Sequence, residues 1–167
     1  MIPYMNLTEQ LLNEQVERDF MRARRRARLR AAEARVRREH TSNHLLSFDD
    51  VRRELFANNR LYRGTKVVEV DEIVGSVGRW RDFDRSFLPA RTSIGERWKR
   101  IDRVFQRGEE LPPVELYEIG EAYFVVDGHH RVSVARYHEV PTVEATVAAF
   151  DAKLPAAPVA ITARRVS

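Results

Sequence analysis

The stretch from Phe124 through Asp127-Gly128-His129-His130-Arg131 to Ala135 constrains the fold most. An apolar strand runs into a glycine turn and then directly into a helix, with no linker between them. The first backbone N–H groups of such a helix have no intrahelical acceptor and carry the positive end of its dipole. A glycine at this place lets a ligand approach the backbone. Arg131 and two imidazoles stand in the same turn, so it has the donors and charge of an anion site. The same residues also satisfy a plain reading, in which Asp-Gly is an ordinary strand-end turn and the histidines are cap or surface residues.

Upstream, Pro112-Pro113 leads into a strand from Val114 to Ile119, Gly120-Glu121 makes a two-residue turn, and Ala122 to Val126 returns as a hairpin. His130 to Tyr137 is the helix that follows, and Val143 to Val147 is a last strand after Pro141. A helix from Ile94 to Arg107 turns Trp98, Ile101, Val104 and Phe105 inward and stops at Gly108. Lys66 to Val70 is β-branched enough for a strand, followed by a helical turn at Asp71 to Val74. Gly75 and Gly78 mark a loop through Arg79-Trp80-Arg81-Asp82-Phe83-Asp84-Arg85 toward Pro89.

Residues 8–39 contain no Gly or Pro and read as one long helix, with Thr8 as N-cap and Leu12, Val16 and Phe20 on its apolar face. From Arg22 that face thins to alanines, so the second half is expected to project. After Thr41-Ser42-Asn43, a short helix starts at Ser47-Phe48-Asp49-Asp50, buries Val51, Leu55 and Phe56, and ends at Asn58-Asn59. The expected division is a basic helical extension over 1–45, a short helix and linker over 46–65, an α/β (α+β) domain over 66–150, and a loose tail over 151–167.

The net charge of +4 conceals an asymmetry. Residues 22–38 hold nine arginines (Arg22, Arg24, Arg25, Arg26, Arg28, Arg30, Arg35, Arg37 and Arg38) against the single acid Glu33, an excess of +8 that leaves the remainder at −4. Such a segment points to nucleic acid or another polyanion as partner. It has no aromatic for stacking and no Asn or Gln for reading adenine, so sequence-specific readout is not expected. A solvated helix, or one docked on an acidic partner, on the acidic body or on a second copy as a homodimer, is the alternative.

The chain has no cysteine, which excludes disulfides, thiol catalysis and zinc–thiolate sites. Met1 to Gln15 is polar, and no run approaches the roughly 18 apolar residues of a membrane span. A cytoplasmic protein without signal peptide or membrane segment is therefore expected.

The order strand, Arg-bearing loop, helix, Pro-flanked hairpin, Asp-Gly-His-His-Arg turn, helix and short strand, over about residues 66 to 148, resembles the ParB N-terminal/sulfiredoxin superfamily. Gly128-His129-His130-Arg131 with Ala135 downstream is similar to the Gly-Glu-Arg-Arg turn of ParB proteins. It is also similar to the Gly-Cys-His-Arg of sulfiredoxins and the Asp-Gly-His-Thr-Arg of free-serine kinases, departing from the last at His130. The resemblance implies a small mixed sheet with flanking helices, here preceded by the basic helix. It implies phosphate binding at Gly128, His129, His130, Arg131 and Ser133, with Arg79 facing the turn.

Where sulfiredoxins carry cysteine this chain has His129, so sulfiredoxin activity is excluded. No helix-turn-helix follows the domain in this sequence, so the operator-reading job of partition proteins is not expected. Three readings remain: a module binding phosphate of a nucleotide or nucleic acid; a phosphotransferase, NTPase or nuclease on the same fold; and a non-catalytic interaction module. In the second, His129 or His130 is the general acid/base, Asp127 orients an imidazole or binds metal, and Asp82 is a further metal ligand. A nucleoside di- or triphosphate and Mg²⁺ are the expected cofactors.

Overall fold

The computed structural model describes residues 6–37 and 43–153. Helix α1 spans Leu7–Val36 and α2 spans Phe48–Glu54. Helix α3 spans Gly95–Gln106 and α4 spans His129–Tyr137. The strands are β1 (Leu46–Ser47), β2 (Asn58–Glu69), β3 (Ile73–Ser76), β4 (Val114–Ile119), β5 (Ala122–Asp127) and β6 (Thr142–Asp151). They form one mixed sheet in the order β1-β3-β5-β4-β6-β2. β3 and β5 run parallel, as do β4 and β6, while β5–β4 is the expected antiparallel hairpin. The α/β class with flanking helices and a long N-terminal helix is as the sequence implied.

The hairpin boundaries follow from local chemistry. Pro112 and Pro113 cannot donate to a ladder, so β4 starts at Val114. Gly120 at φ 62° makes the turn. The core on one side of the sheet gathers Ile73, Phe83, Phe87, Leu116, Val125, Val132 and Val147. Full burial of each such side chain contributes about 1.5–3 kcal/mol.

Helix α1 lies along α3 through its first half, and buried Ala23 and Ala27 hold the start of its arginine-bearing half on the body instead of letting it project. Val16, Phe20, Ala23 and Ala27 are all buried, the last three in one cluster with Leu88, Trp98 and Tyr137. Alanines leave a shallow face, and a shallow face allows close helix approach. Gly95 completes this, because a Cβ there would meet the Phe20 ring at 2.8 Å. One edge of α1 is zipped to α3 by Glu9–Arg107 (3.0 Å), Asn13–Arg103 (2.9 Å) and Glu17–Lys99 (2.8 Å).

Several expectations are corrected. Asn6, not Thr8, caps α1: its side chain accepts from the Thr8 N–H at 3.3 Å. Ser47 makes no side-chain cap bond. Phe48 is buried in place of Phe56, which is 61% exposed. Asn58-Asn59 opens a twelve-residue strand rather than closing a helix. The linker reading failed there because β2 is an edge strand, paired only with β6. Its first half is exposed, so it shows no apolar alternation. Gly75, read as loop, lies in β3. A Cβ there would strike the Phe124 ring and the Leu46 carbonyl, so the sheet needs glycine at this position. Arg38 and residues 154–167 lie outside the described residues.

Candidate functional site

Strand β5 delivers Asp127 to the sheet edge, and Gly128 turns the chain into α4. Gly128 is the N-cap at φ 95°, left-handed backbone that favours glycine. A Cβ on it would also meet Val114 Cγ1 at 2.7 Å.

His129 is 6% exposed, and its Nε2 lies 2.7 Å from Ser76 Oγ. That hydroxyl already accepts the N–H groups of Gly78 (3.3 Å) and Arg79 (3.0 Å). Its own hydrogen therefore goes to Nε2, which makes Nε2 the acceptor and leaves the ring proton on Nδ1. A backbone hydrogen bond at Val125 holds the ring from the other side. Burial, then the Arg79 guanidinium, lowers its pKa to about 4. His129 is thus a neutral strut that fixes the start of the Arg79 loop.

His130 is equally buried, and its Nε2 has no hydrogen-bond partner. Its ring stands edge-on to Phe83 at 5.6 Å. Burial lowers its pKa to about 4, followed by Arg79, Arg97 and His129. Arg97, at the start of α3, acts electrostatically on His130 and so belongs to the surroundings of the turn. The signal missed was spatial: α3 starts beside the turn that starts α4.

Arg79 donates through Nε to Asp82 Oδ2 at 2.8 Å, and Arg91 lies 3.5 Å from the same carboxylate. Asp82 acts electrostatically on both imidazoles. The arrangement is therefore two neutral imidazoles flanked by arginines at a helix N-terminus.

Other expected members are placed elsewhere. Arg131 donates to the carbonyls of Pro112 (2.6 Å) and Pro113 (2.7 Å) and to Asp127 Oδ2 (2.6 Å). It staples β4 to α4, and it occupies Asp127, which makes no hydrogen bond to either histidine. Ser133 is fully buried and accepts the Trp98 indole N–H at 2.9 Å, one turn below the helix start. Among the described residues, the group of side chains close enough to share a metal ion is Asp19, Asp102 and His138, not Asp82 and Asp127. Those three are already hydrogen bonded: Asp19 to Gln15, Gln106 and Tyr137, and Asp102 to Gln106 and His138.

The arginine helix is resolved into separate faces. Arg22 hydrogen bonds Tyr137, and Arg26 lies 5.2 Å from the same ring. Arg25, Arg28, Arg30, Arg35 and Arg37 are exposed, and Arg24 is half-buried. No helix among the described residues is long and apolar enough to cross a membrane.

No protein-family model matches the chain, and no curated protein does. Among solved structures, it is similar to sulfiredoxin from Arabidopsis thaliana at 15% identity and a TM-score of 0.38, over 52% of this chain and 86% of that one.

Proposed function

We propose that the N-terminal turn of α4 binds a phosphoryl group of a nucleotide or of nucleic acid. The observation that carries this reading is His130 Nε2, a buried ring nitrogen without a partner at a helix start, with Arg79 and Arg97 both acting on it. A buried polar atom left unsatisfied costs about 1–3 kcal/mol, a cost that a ligand oxygen would remove. The backbone N–H groups of the first turn supply further donors. An arriving anion would also favour the protonated imidazole, which then donates from Nε2. The working set is Gly128, His130, Arg79 and Arg97, with His129 positioning the loop and Arg131 positioning the turn. Mg²⁺ would come with the phosphates, and Asp82 would meet it by exchanging its contact to Arg79 or Arg91. The basic helix α1 would bring nucleic acid to the protein.

A thermal-shift panel of nucleoside mono-, di- and triphosphates with and without Mg²⁺ tests this, because a ligand of the folded state raises Tm. The expected result is a rise for at least one nucleotide that Arg97→Gln and Arg79→Gln each reduce. A rise untouched by both variants would place the ligand elsewhere.

A second reading, phosphoryl transfer or nuclease chemistry, is favoured by the same atom. An imidazole at about 4 is neutral at pH 7, so His130 is available as a base rather than as an acid. Turnover of nucleoside triphosphate or plasmid that disappears in His130→Gln supports it; equal turnover in that variant rejects it.

A further inference from the structure

Two rows of arginines run along α1 with the same spacing: Arg24, Arg28 and Arg35, and two residues on, Arg26, Arg30 and Arg37. At 100° per residue the rows point about 160° apart. They flank the buried stripe that carries Ala23 and Ala27.

The second row is engaged with the protein itself. Arg26 and Arg30 line a cavity of about 410 Å³ whose other walls bear Glu69, Glu139 and the Asp71–Arg136 ion pair. Arg30 and Arg37 continue into a neighbouring one of about 240 Å³. Arg30 also acts on the buried carboxylate of Asp84. This row therefore faces acids and, through Arg26, the Tyr137 ring of the same chain.

The first row differs. It prolongs the edge of α1 that Glu9, Asn13 and Glu17 zip to α3. Phe20 already sits against Gly95, the first residue of α3. Arg24, Arg28 and Arg35 therefore lie past the start of that helix. Neither they nor Arg25 form an ion pair with any described residue.

We infer that Arg24, Arg28 and Arg35, with Arg25, form an edge that docks on the phosphate backbone of duplex nucleic acid, and that the row facing the cavity does not. The inference rests on the reading that α1 meets nucleic acid and is independent of the α4 turn. From Arg24 to Arg35 the helix rises about 16 Å, the length of about five base pairs. Guanidinium forks match phosphate oxygens in pairs. The edge carries no aromatic and no Asn or Gln, so its contacts are to backbone and indifferent to sequence. Met21, Leu29 and Val36 are exposed between the rows. They stand seven or eight residues apart, too sparse for the continuous apolar face that lies in a bilayer surface.

The test compares full-length R24Q/R28Q/R35Q with R26Q/R30Q/R37Q by fluorescence anisotropy on labelled DNA and RNA duplexes across a salt series, with thermal melts as a fold check. The edge variant is expected to lower the slope of log K against log salt by about 2.7, three phosphates at about 0.9 each. The cavity-row variant is expected to keep the wild-type slope. Should the cavity-row triple melt early, Arg28→Glu against Arg30→Glu gives the same comparison, Arg28→Glu being the more damaging. A larger loss in the cavity row overturns the inference. If wild type binds neither duplex at low salt but binds phosphatidylserine/phosphatidylcholine vesicles, the nucleic-acid reading of α1 is itself overturned, while nucleotide binding at the turn is still read separately.

Discussion

Trp98 and Ser133 are joined inside the core by an indole N–H to Oγ hydrogen bond of 2.9 Å, with both residues fully buried. This bond sets α3 against α4 and so fixes how far Arg97 stands from His130. Ser133→Ala removes the acceptor and leaves the indole N–H orphaned in the core. The expected loss is about 1–3 kcal/mol, read as a lower urea midpoint at unchanged m-value. A midpoint equal to wild type would show that the indole finds another acceptor.

Gly128 combines a left-handed φ of 95° with a Cβ position 2.7 Å from Val114. Gly128→Ala therefore meets both backbone strain and a clash with the first residue of β4. A destabilisation of about 2 kcal/mol is expected. Hydrogen exchange should loosen at the start of α4 before the hairpin does. Uniform loosening would mean that the strain is not local.

Arg131 is the arginine that the Asp-Gly-His-His-Arg motif most strongly offers to a phosphate, yet its guanidinium holds the Pro112 and Pro113 carbonyls. Arg131→Lys keeps the charge and loses the fork. Stability is expected to fall by about 1–3 kcal/mol, while the remaining folded protein binds nucleotide within a few-fold of wild type. Arg97→Gln should do the opposite, costing affinity with little change in unfolding. Loss of affinity without loss of stability in Arg131→Lys would return Arg131 to the binding set.

The hairpin, α3 and α4 were legible in the sequence because each carries its own punctuation: Pro112-Pro113, Gly120, Gly108 and the Asp127-Gly128 turn. Their limits depend on neighbours one to four residues away. The first half of β2 was illegible because an exposed edge strand has no apolar period; its pairing to β6 is made by backbone alone. Asp19 and Asp102 were illegible for another reason. They are charged residues at buried positions on α1 and α3, and their partners come from three different helices. Within the site, the histidine turn was visible, but Arg97 and the carbonyl staple of Arg131 are long-range relations that local chemistry does not encode.

His129 and His130 both titrate at about 4 in the folded protein, against 6.5 for an ordinary imidazole. Between those values the unfolded chain binds more protons than the native one, so stability rises with pH across the window. The contribution is complete above 6.5 and is lost as pH falls toward 4. It amounts to something on the order of 3 kcal/mol for one imidazole. Urea unfolding of wild type and His130→Gln at pH 7 and at about pH 4.5 checks this. The wild type should lose more stability than the variant between the two conditions, and parallel losses would count against it. Bound phosphate should reduce the wild-type loss, because the anion favours the protonated ring.

Asp19 is the last of these tests, because it decides whether α1 belongs to the folded body. Its carboxylate, 3% exposed, accepts from Gln15 on its own helix (3.0 Å), from Gln106 of α3 (2.9 Å) and from the Tyr137 hydroxyl of α4 (2.7 Å). Burial, then the bond to Asp19, pushes the Tyr137 phenol up to about 12. Asp19→Ala leaves the Gln15 amide and the buried Tyr137 hydroxyl without this acceptor, while Gln106 keeps Asp102, and is expected to cost about 3 kcal/mol. Asp19→Asn keeps one acceptor oxygen and should cost less. Tyr137→Phe should cost about 1 kcal/mol, and the phenol that titrates last in the ultraviolet should vanish with it. Because the three helices share this carboxylate, α1 should melt together with the sheet in wild type. Separate melting of α1, with the sheet unaffected by Asp19→Ala, would mean that the helix is an appendage and that the arginine edge is carried on a detachable arm.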